Sequence, residues 1–268
     1  GGHVTSYIPA RLEEGYGLNP LAIDTLKKQG VELIVTVDCG ITGVDETAYA
    51  ATLGVDLVIT DHHECKSELP QAIALVDPHR KDQPQPVTEM AGVGVAFKLA
   101  AAIEGEQETL LDQYCDFLCL GTVADVMPLT GENRTMVARG LKALENPRRV
   151  GIAALMAECS VQKGPVTAGT IGYTLAPRIN AAGRVESGNK AVALLTADEK
   201  LSANDIASAI NIFNDKRKKL DHDITEEAIA HILHSEIEPS KKTTVLFNPR
   251  WHKGVIGIVA SRLTESFY

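Results

Sequence analysis

The chain has 268 residues, of which 44% are apolar and 23% charged. That is ordinary globular composition, long enough for one large domain or for one domain and part of another. The formal net charge of −9 argues against nonspecific binding to nucleic acid or membrane, though not against a local basic groove.

From 4 to about 130 the pattern alternates short apolar strands with helical stretches. Val4–Ile8 reads as a short strand and 20–29 as a helix closed by Gly30. Leu33–Val37 is a strand rich in β-branched residues that ends at Asp38-Cys39-Gly40. Residues 44–53 read as a helix closed by Gly54, Leu57–Thr60 as a strand ending at Asp61, and Ala72–Val76 as a strand ending at Asp77-Pro78. Helices are expected over 92–103 and 108–120. Apolar strands separated by helices of this length imply a parallel sheet with both faces covered, and in such sheets ligands bind beyond the carboxyl ends of the strands. The middle, from about 134 to 235, is mostly helical and includes one long pattern over 202–235. Glu238-Pro239-Ser240 breaks it, Thr243–Phe247 reads as a new strand, and a glycine-bearing loop leads to a helix over Val255–Leu263. The fold class is therefore α/β: a sheet domain, a helical segment with a long connecting helix, and the start of a second α/β domain.

Apolar runs such as 150–157 are too short to span a membrane, and no signal peptide opens the chain, so a cytoplasmic setting with no membrane partner is expected. The five cysteines, Cys39, Cys65, Cys115, Cys119 and Cys159, form no CxxC pair and read as free thiols used in packing. Gly1-Gly2-His3-Val4 lacks an initiator Met, and Leu263–Tyr268 stops inside a helical pattern. The expectation is a piece of a longer chain.

Three strand ends are acidic: Asp38 after LIVTV, Asp61-His62-His63 after LVIT, and Asp77 after IALV. In a parallel sheet they crowd one edge. Asp125, in Gly121–Asp125, is a fourth candidate. Carboxylates with imidazole at one edge suit a divalent cation, where oxygen ligands favour Mg²⁺ or Mn²⁺ and an added imidazole tilts the choice toward Mn²⁺. Each Asp could also cap the helix that follows its strand, but adjacent histidines at a strand end have little structural purpose. Asp77-Pro78 reads first as a turn. Gly92-Val93-Gly94 could meet a phosphate through backbone N–H groups or serve close packing of a helix start. The run Lys216–Lys219 reads first as a solvated helix face, with contact to DNA as the second reading.

The blocks VDCG (37–40), ITDHHE (59–64), ALVDPHR (74–80), AGVGVAFKLA (91–100), LGTVADVMPL (120–129), APRINAAGR (176–184) and WHKGVIGIVASRL (251–263), in this order, resemble the DHH phosphoesterases. The branch they look like is the RecJ type, single-strand-specific 5′→3′ exonucleases of recombination and repair. The resemblance implies two Mn²⁺ or Mg²⁺ ions, with Asp38 bridging them and His62 and Asp125 as further ligands. Asp61 is expected to orient a ligand from behind, and His63 to contact the substrate phosphate. Two ions about 3.5–4 Å apart activate water and stabilise the leaving oxygen of a phosphodiester, so no protein nucleophile is required. The family's earlier block, Asp-x-Asp-x-Asp-Gly, does not occur in this chain. The expectation is thus half of a two-metal site, inactive by itself. Arg178, Asn180 and Arg184 in APRINAAGR are expected to contact phosphates, since arginines match phosphate oxygens in bidentate fashion. Trp251, His252, Ser261 and Arg262 resemble the start of the family's DHHA1 substrate-binding domain, and Trp251 could stack on a base or fill a core. The implied domains are 1–150 (catalytic), 151–238 (helical segment and connecting helix) and 239–268 (start of DHHA1). The implied partner is single-stranded DNA, with a single-strand-binding protein or a helicase as candidate protein partners. Two other readings remain open: a DHH phosphodiesterase acting on oligoribonucleotides or cyclic dinucleotides, and a catalytically inactive single-strand-binding module.

Overall fold

The computed structural model describes residues 2–10, 13–82, 89–234 and 243–267. Helix α1 (Pro20–Lys28) starts where the Asn19 side chain accepts a bond from the Ala22 N–H at 2.8 Å, with Pro20 pre-set at the first position. It buries Ala22, Ile23 and Leu26. Strand β1 (Leu33–Val37) follows, then α2 (Val44–Thr52), β2 (Asp56–Thr60) and β3 (Ala74–Val76). The sheet has the order β1-β2-β3 and is parallel throughout, with Val37 opposite Thr60 and Thr60 opposite Val76. All three strands therefore end at one edge. Side chains of Ile34 and Leu57 share one face and pack with Ile23 of α1 and Ala50 of α2. Leu33, Val35 and Val37 alternate to the other face, where they remain about half exposed. Among the described residues the sheet is thus covered fully on one face only, unlike the doubly covered sheet expected.

Helix α3 (Gly92–Glu104) packs on β1 and β2 and against α4 (Gln107–Ala124), burying Met90, Val95, Phe97, Leu111 and Leu118. Then come α5 (Gly131–Leu144), α6 (Val150–Glu158), a short α7 (Ala168–Thr170), a π-helical turn (Ile171–Leu175), α8 (Ala176–Val185), α9 (Asn189–Leu195) and the 35-residue α10 (Lys200–His234). One apolar core joins Cys119, Leu144, Leu155, Leu175, Leu194 and Ile210, and so runs from α4 to α10. A smaller core ties Ile224 and Ala228 of α10 to Val255 and to Val259 of α11 (Ile256–Phe267).

Two expected strands are absent. Residues 4–8 and 243–247 belong to no strand of the sheet among the described residues. Alternating apolar residues become a strand only when a neighbour supplies a ladder. Ile8 instead packs against Gly188, in the turn between α8 and α9, while Val245 and Phe247 face solvent.

Candidate metal centre

The end of β1 turns sharply. Asp38 has φ 64°, a left-handed conformation that costs a non-glycine residue about 1–2 kcal/mol. Its N–H continues the ladder to Thr60 O at 3.0 Å. Gly92, the first residue of α3, lies directly against it: a Cβ there would sit 2.5 Å from Asp38 Cβ. The glycine pair in AGVGVAFKLA therefore serves close packing at Gly92. Gly121 of α4 likewise admits Val93, since a Cβ at 121 would lie 2.5 Å from Val93 Cγ1. These two small residues let the ends of α3 and α4 reach the edge of the sheet.

At the end of β2 the buried Asp61 carboxylate is held by backbone. Oδ2 accepts from Ile41 N–H at 3.0 Å, and Oδ1 from His62 N–H at 2.7 Å and His63 N–H at 3.3 Å. The same Oδ1 meets His63 Nδ1 at 2.6 Å. Against the cost of burial, these bonds hold the Asp61 carboxyl below the usual range. In return the Asp61 bond raises the His63 pKa. A carboxylate on Nδ1 fixes the tautomer and turns Nε2 outward.

His62 is directed elsewhere. Its Nε2 lies 2.9 Å from Asp38 Oδ1 and 3.3 Å from Asp125 Oδ2. Asp125 ends no strand. It caps the C-terminus of α4, and Val126 after it takes φ 56°, a strained value for a β-branched residue. Burial pushes the Asp38 carboxyl up, the His62 ring draws it back, and the Asp125 carboxylate raises it again. A cation would relieve this crowding of carboxylates. One donor atom each from Asp38, His62 and His63 lie within 4.8 Å of one another. One carboxylate and two imidazoles around one point, with the Asp125 carboxylate 3.3 Å from His62 Nε2 beside them, fit a divalent ion such as Mn²⁺ by donor chemistry.

Sequence reasoning missed Tyr16. It sits between Gly15 and Gly17, which have φ 87° and 84°, and its hydroxyl donates to Asp38 O at 2.8 Å. Its ring meets His63 edge-on at 6.3 Å. An aromatic between two glycines, in EGYG, was the available signal. Asp77 forms the turn expected of it, with Oδ1 accepting from His79 N–H at 2.7 Å. Cys39 is a packing residue by its chemistry: burial first, then Asp61 and Asp38, push its thiol up to about 11.

The other predicted residues lie away from this cluster. Arg178 is half-buried on α8, where it donates to Thr174 O and to Asn211 Oδ1, both at 2.8 Å. It thereby ties the π-helical turn to α10. Asn180 on the same helix is exposed. Arg184 reaches Gly254 O at 3.4 Å. Trp251 packs in the α10–α11 core and donates its indole N–H to Glu227 Oε2 at 2.9 Å. Of the two readings open for Trp251, the structure shows packing. His252 Nδ1 accepts from Gly254 N–H at 3.1 Å, which closes its own loop. Ser261 is exposed on α11, and Arg262 beside it pairs with Asp221.

A parallel sheet edge bearing this Asp-His-His cluster defines a class, and comparison with known proteins agrees. Residues 1–122 match the DHH family, N-terminal domain. Over nearly its whole length the chain is similar to RecJ exonucleases. It is 41% identical to the single-stranded-DNA-specific exonuclease RecJ of Bacillus subtilis (strain 168), covering 99% of this chain and 33% of that protein. It is 35% identical to the RecJ of Escherichia coli (strain K12), over 97% of this chain and 48% of that protein. Among solved structures, exonuclease RecJ bound to manganese matches with a TM-score of 0.83 and 34% identity, covering 97% of this chain and 65% of that one. RecJ of Thermus thermophilus in complex with Mn²⁺ matches with a TM-score of 0.78 and 32% identity, over 91% of this chain and 36% of that one. The chain spans a third to a half of the length of these curated relatives. No described helix is long and apolar enough to cross a membrane.

Proposed function

We propose that this chain is part of a metal-dependent exonuclease that hydrolyses single-stranded DNA from 5′ to 3′ in recombination and repair. The observation that carries the reading is the convergence of Asp38, His62 and Asp125, with a 2.9 Å and a 3.3 Å contact to one imidazole nitrogen, in a chain this similar to RecJ proteins. In this reading Asp38, His62 and Asp125 hold Mn²⁺ or Mg²⁺, two ions in the whole protein. Bound there, the metal ions would supply an activated water and charge neutralisation for phosphodiester hydrolysis. Asp61 aims His63 and favours its protonated form, and the outward Nε2 of His63 donates to a phosphate oxygen. Tyr16 walls the site beside His63.

Arg178, Asn180 and Arg184, with His252, Ser261 and Arg262, would follow the strand's backbone; Trp251 would support this surface from within. The division into 1–150, 151–238 and 239–268 assigns catalysis to the first part and strand contact to the other two. A cytoplasmic setting, with a single-strand-binding protein or a helicase as partner, completes the proposal.

The test is a product assay on the natural-length protein with a 5′-phosphorylated single strand and Mn²⁺, beside Asp38→Ala and a duplex control. Stepwise release of mononucleotides from the 5′ end, from the single strand only and with Asp38 intact, is the expected result. Full turnover by Asp38→Ala would remove the metal assignment.

A further inference from the structure

The run Lys216–Lys219 is not a uniform solvated face. Lys216, Lys218 and Lys219 are exposed, whereas Arg217 turns inward. Asn214, Arg217, Asp221 and Thr225 lie three or four residues apart and share one face of α10, as helical geometry requires. Asn214, Asp221 and Thr225 are buried. Along this face both amide atoms of Asn214, Arg217 Nε, Asp221 Oδ1 and Thr225 Oγ1 have no hydrogen-bond partner among the described residues. Buried polar groups left in this state are costly, and a line of them marks a surface built for something else.

The centre of the line is a charge cluster. Arg262 of α11 places Nη2 3.0 Å from Asp221 Oδ2. The arginine is 54% exposed and the aspartate 1%. Burial lowers the Arg217 pKa; Asp221 raises it and Arg262 lowers it further, so all three groups lie within electrostatic reach. The Asp221 carboxylate, paired with Arg262, thus also lies within electrostatic reach of Arg217 one helical turn away. Guanidinium forks match phosphate oxygens. A half-exposed arginine side chain samples many rotamers unless something fixes it, and fixing it in advance spares that entropy on binding.

We infer that Asp221 is a positioning residue, which holds Arg262 beside Arg217 as a two-guanidinium receptor for a phosphate group of the bound strand. The inference rests on the proposed function for its ligand, a single strand. One Arg262 nitrogen is committed to Asp221, and its remaining N–H groups stay available for a phosphate.

The two roles open to Asp221 predict opposite signs. If it contributed only its charge, removing that charge would tighten the binding of an anion. If it positions Arg262, removing it weakens binding. The experiment measures the affinity of the natural-length protein for a short single strand in EDTA, so that binding is read whether or not the strand is cut. Strands carrying a 5′-phosphate or a 5′-hydroxyl are compared. Asp221→Asn is expected to bind about tenfold more weakly, the worth of one oriented charge-assisted contact. Asp221→Asn combined with Arg262→Gln is expected to lose no more than Arg262→Gln alone. Arg262→Gln, its fold checked by circular dichroism, should reduce the slope of log affinity against log salt by about one. A loss confined to the 5′-phosphorylated strand identifies a terminal phosphate, and equal loss on both strands identifies a backbone phosphate. Tighter or unchanged binding by Asp221→Asn, additive losses in the double variant, or an unchanged salt slope in Arg262→Gln would each overturn the inference. Failure to cleave DNA would count against the nuclease assignment and leave these binding outcomes readable.

Discussion

Gly92→Ala places one methyl group against the most constrained residue of the candidate metal centre. The new Cβ would lie 2.5 Å from Asp38 Cβ and 2.8 Å from its Cα and Cγ. Non-bonded carbons rest at about 3.5–4.0 Å, so the two chains must part by about 1 Å. Asp38 cannot yield freely. It is already at φ 64°, its N–H is bonded to Thr60 O, and its carbonyl accepts from Tyr16. Overpacking of this kind costs about 1–3 kcal/mol. Alanine in place of glycine in a helix returns about 0.5–1 kcal/mol. The net loss of about 1–2 kcal/mol corresponds to a Tm lower by about 2–6 °C. The effect on turnover should be larger, because a displacement of about 1 Å at a reacting centre costs about 100-fold. The assay is release of mononucleotides by the full-length protein, with calorimetry alongside. Gly257→Ala serves as the control, since a Cβ there meets nothing within 4 Å. A Gly92→Ala protein that turns over like the wild type would refute the claim that this glycine sets the position of Asp38.

Three further outcomes are expected. Trp251→Phe removes the bond to Glu227 and should lower Tm by about 2–5 °C while leaving strand affinity unchanged; an unchanged Tm with lost affinity would return Trp251 to base stacking. Gly254→Ala sets a Cβ 2.0 Å from Arg184 O, which should pry the 248–254 loop from α8 and speed tryptic cleavage after Arg250 and Lys253; an unchanged cleavage rate would contradict this. Cys119 is fully buried, and burial pushes its thiol up to about 12. A thiol reagent at pH 8 should leave it unmodified in the folded protein and label it in urea, and labelling at equal rates in both would show that the core between α4 and α5 is open.

The strand cores and the glycine-ended helices of the first half were legible because they depend on near neighbours. Leu33–Val37 is apolar and β-branched, and Gly30 and Gly54 take the positive φ of 81° and 64° that ends a helix. Val4–Ile8 and Thr243–Phe247 were misread because an isolated apolar segment does not show whether a ladder partner exists. Asp38, Asp61, His62 and His63 stood out as strand ends, while Tyr16 carried only the weak signal of flanking glycines.

What the sequence determined by itself was the type of chemistry, since carboxylates and adjacent histidines at strand ends are set by residue identity and by the period of the strands. What only the tertiary structure decided was the division of labour. Asp61 turns His63 away while His62 meets Asp38 and Asp125, a residue 63 positions later at the end of a helix. Asp221 and Arg262, 41 positions apart, form one pair across two helices. Such contacts depend on how helices pack, through the shapes of Gly92, Gly121 and Gly254 and the cores beneath them, and packing of this kind has no period that a linear pattern can display.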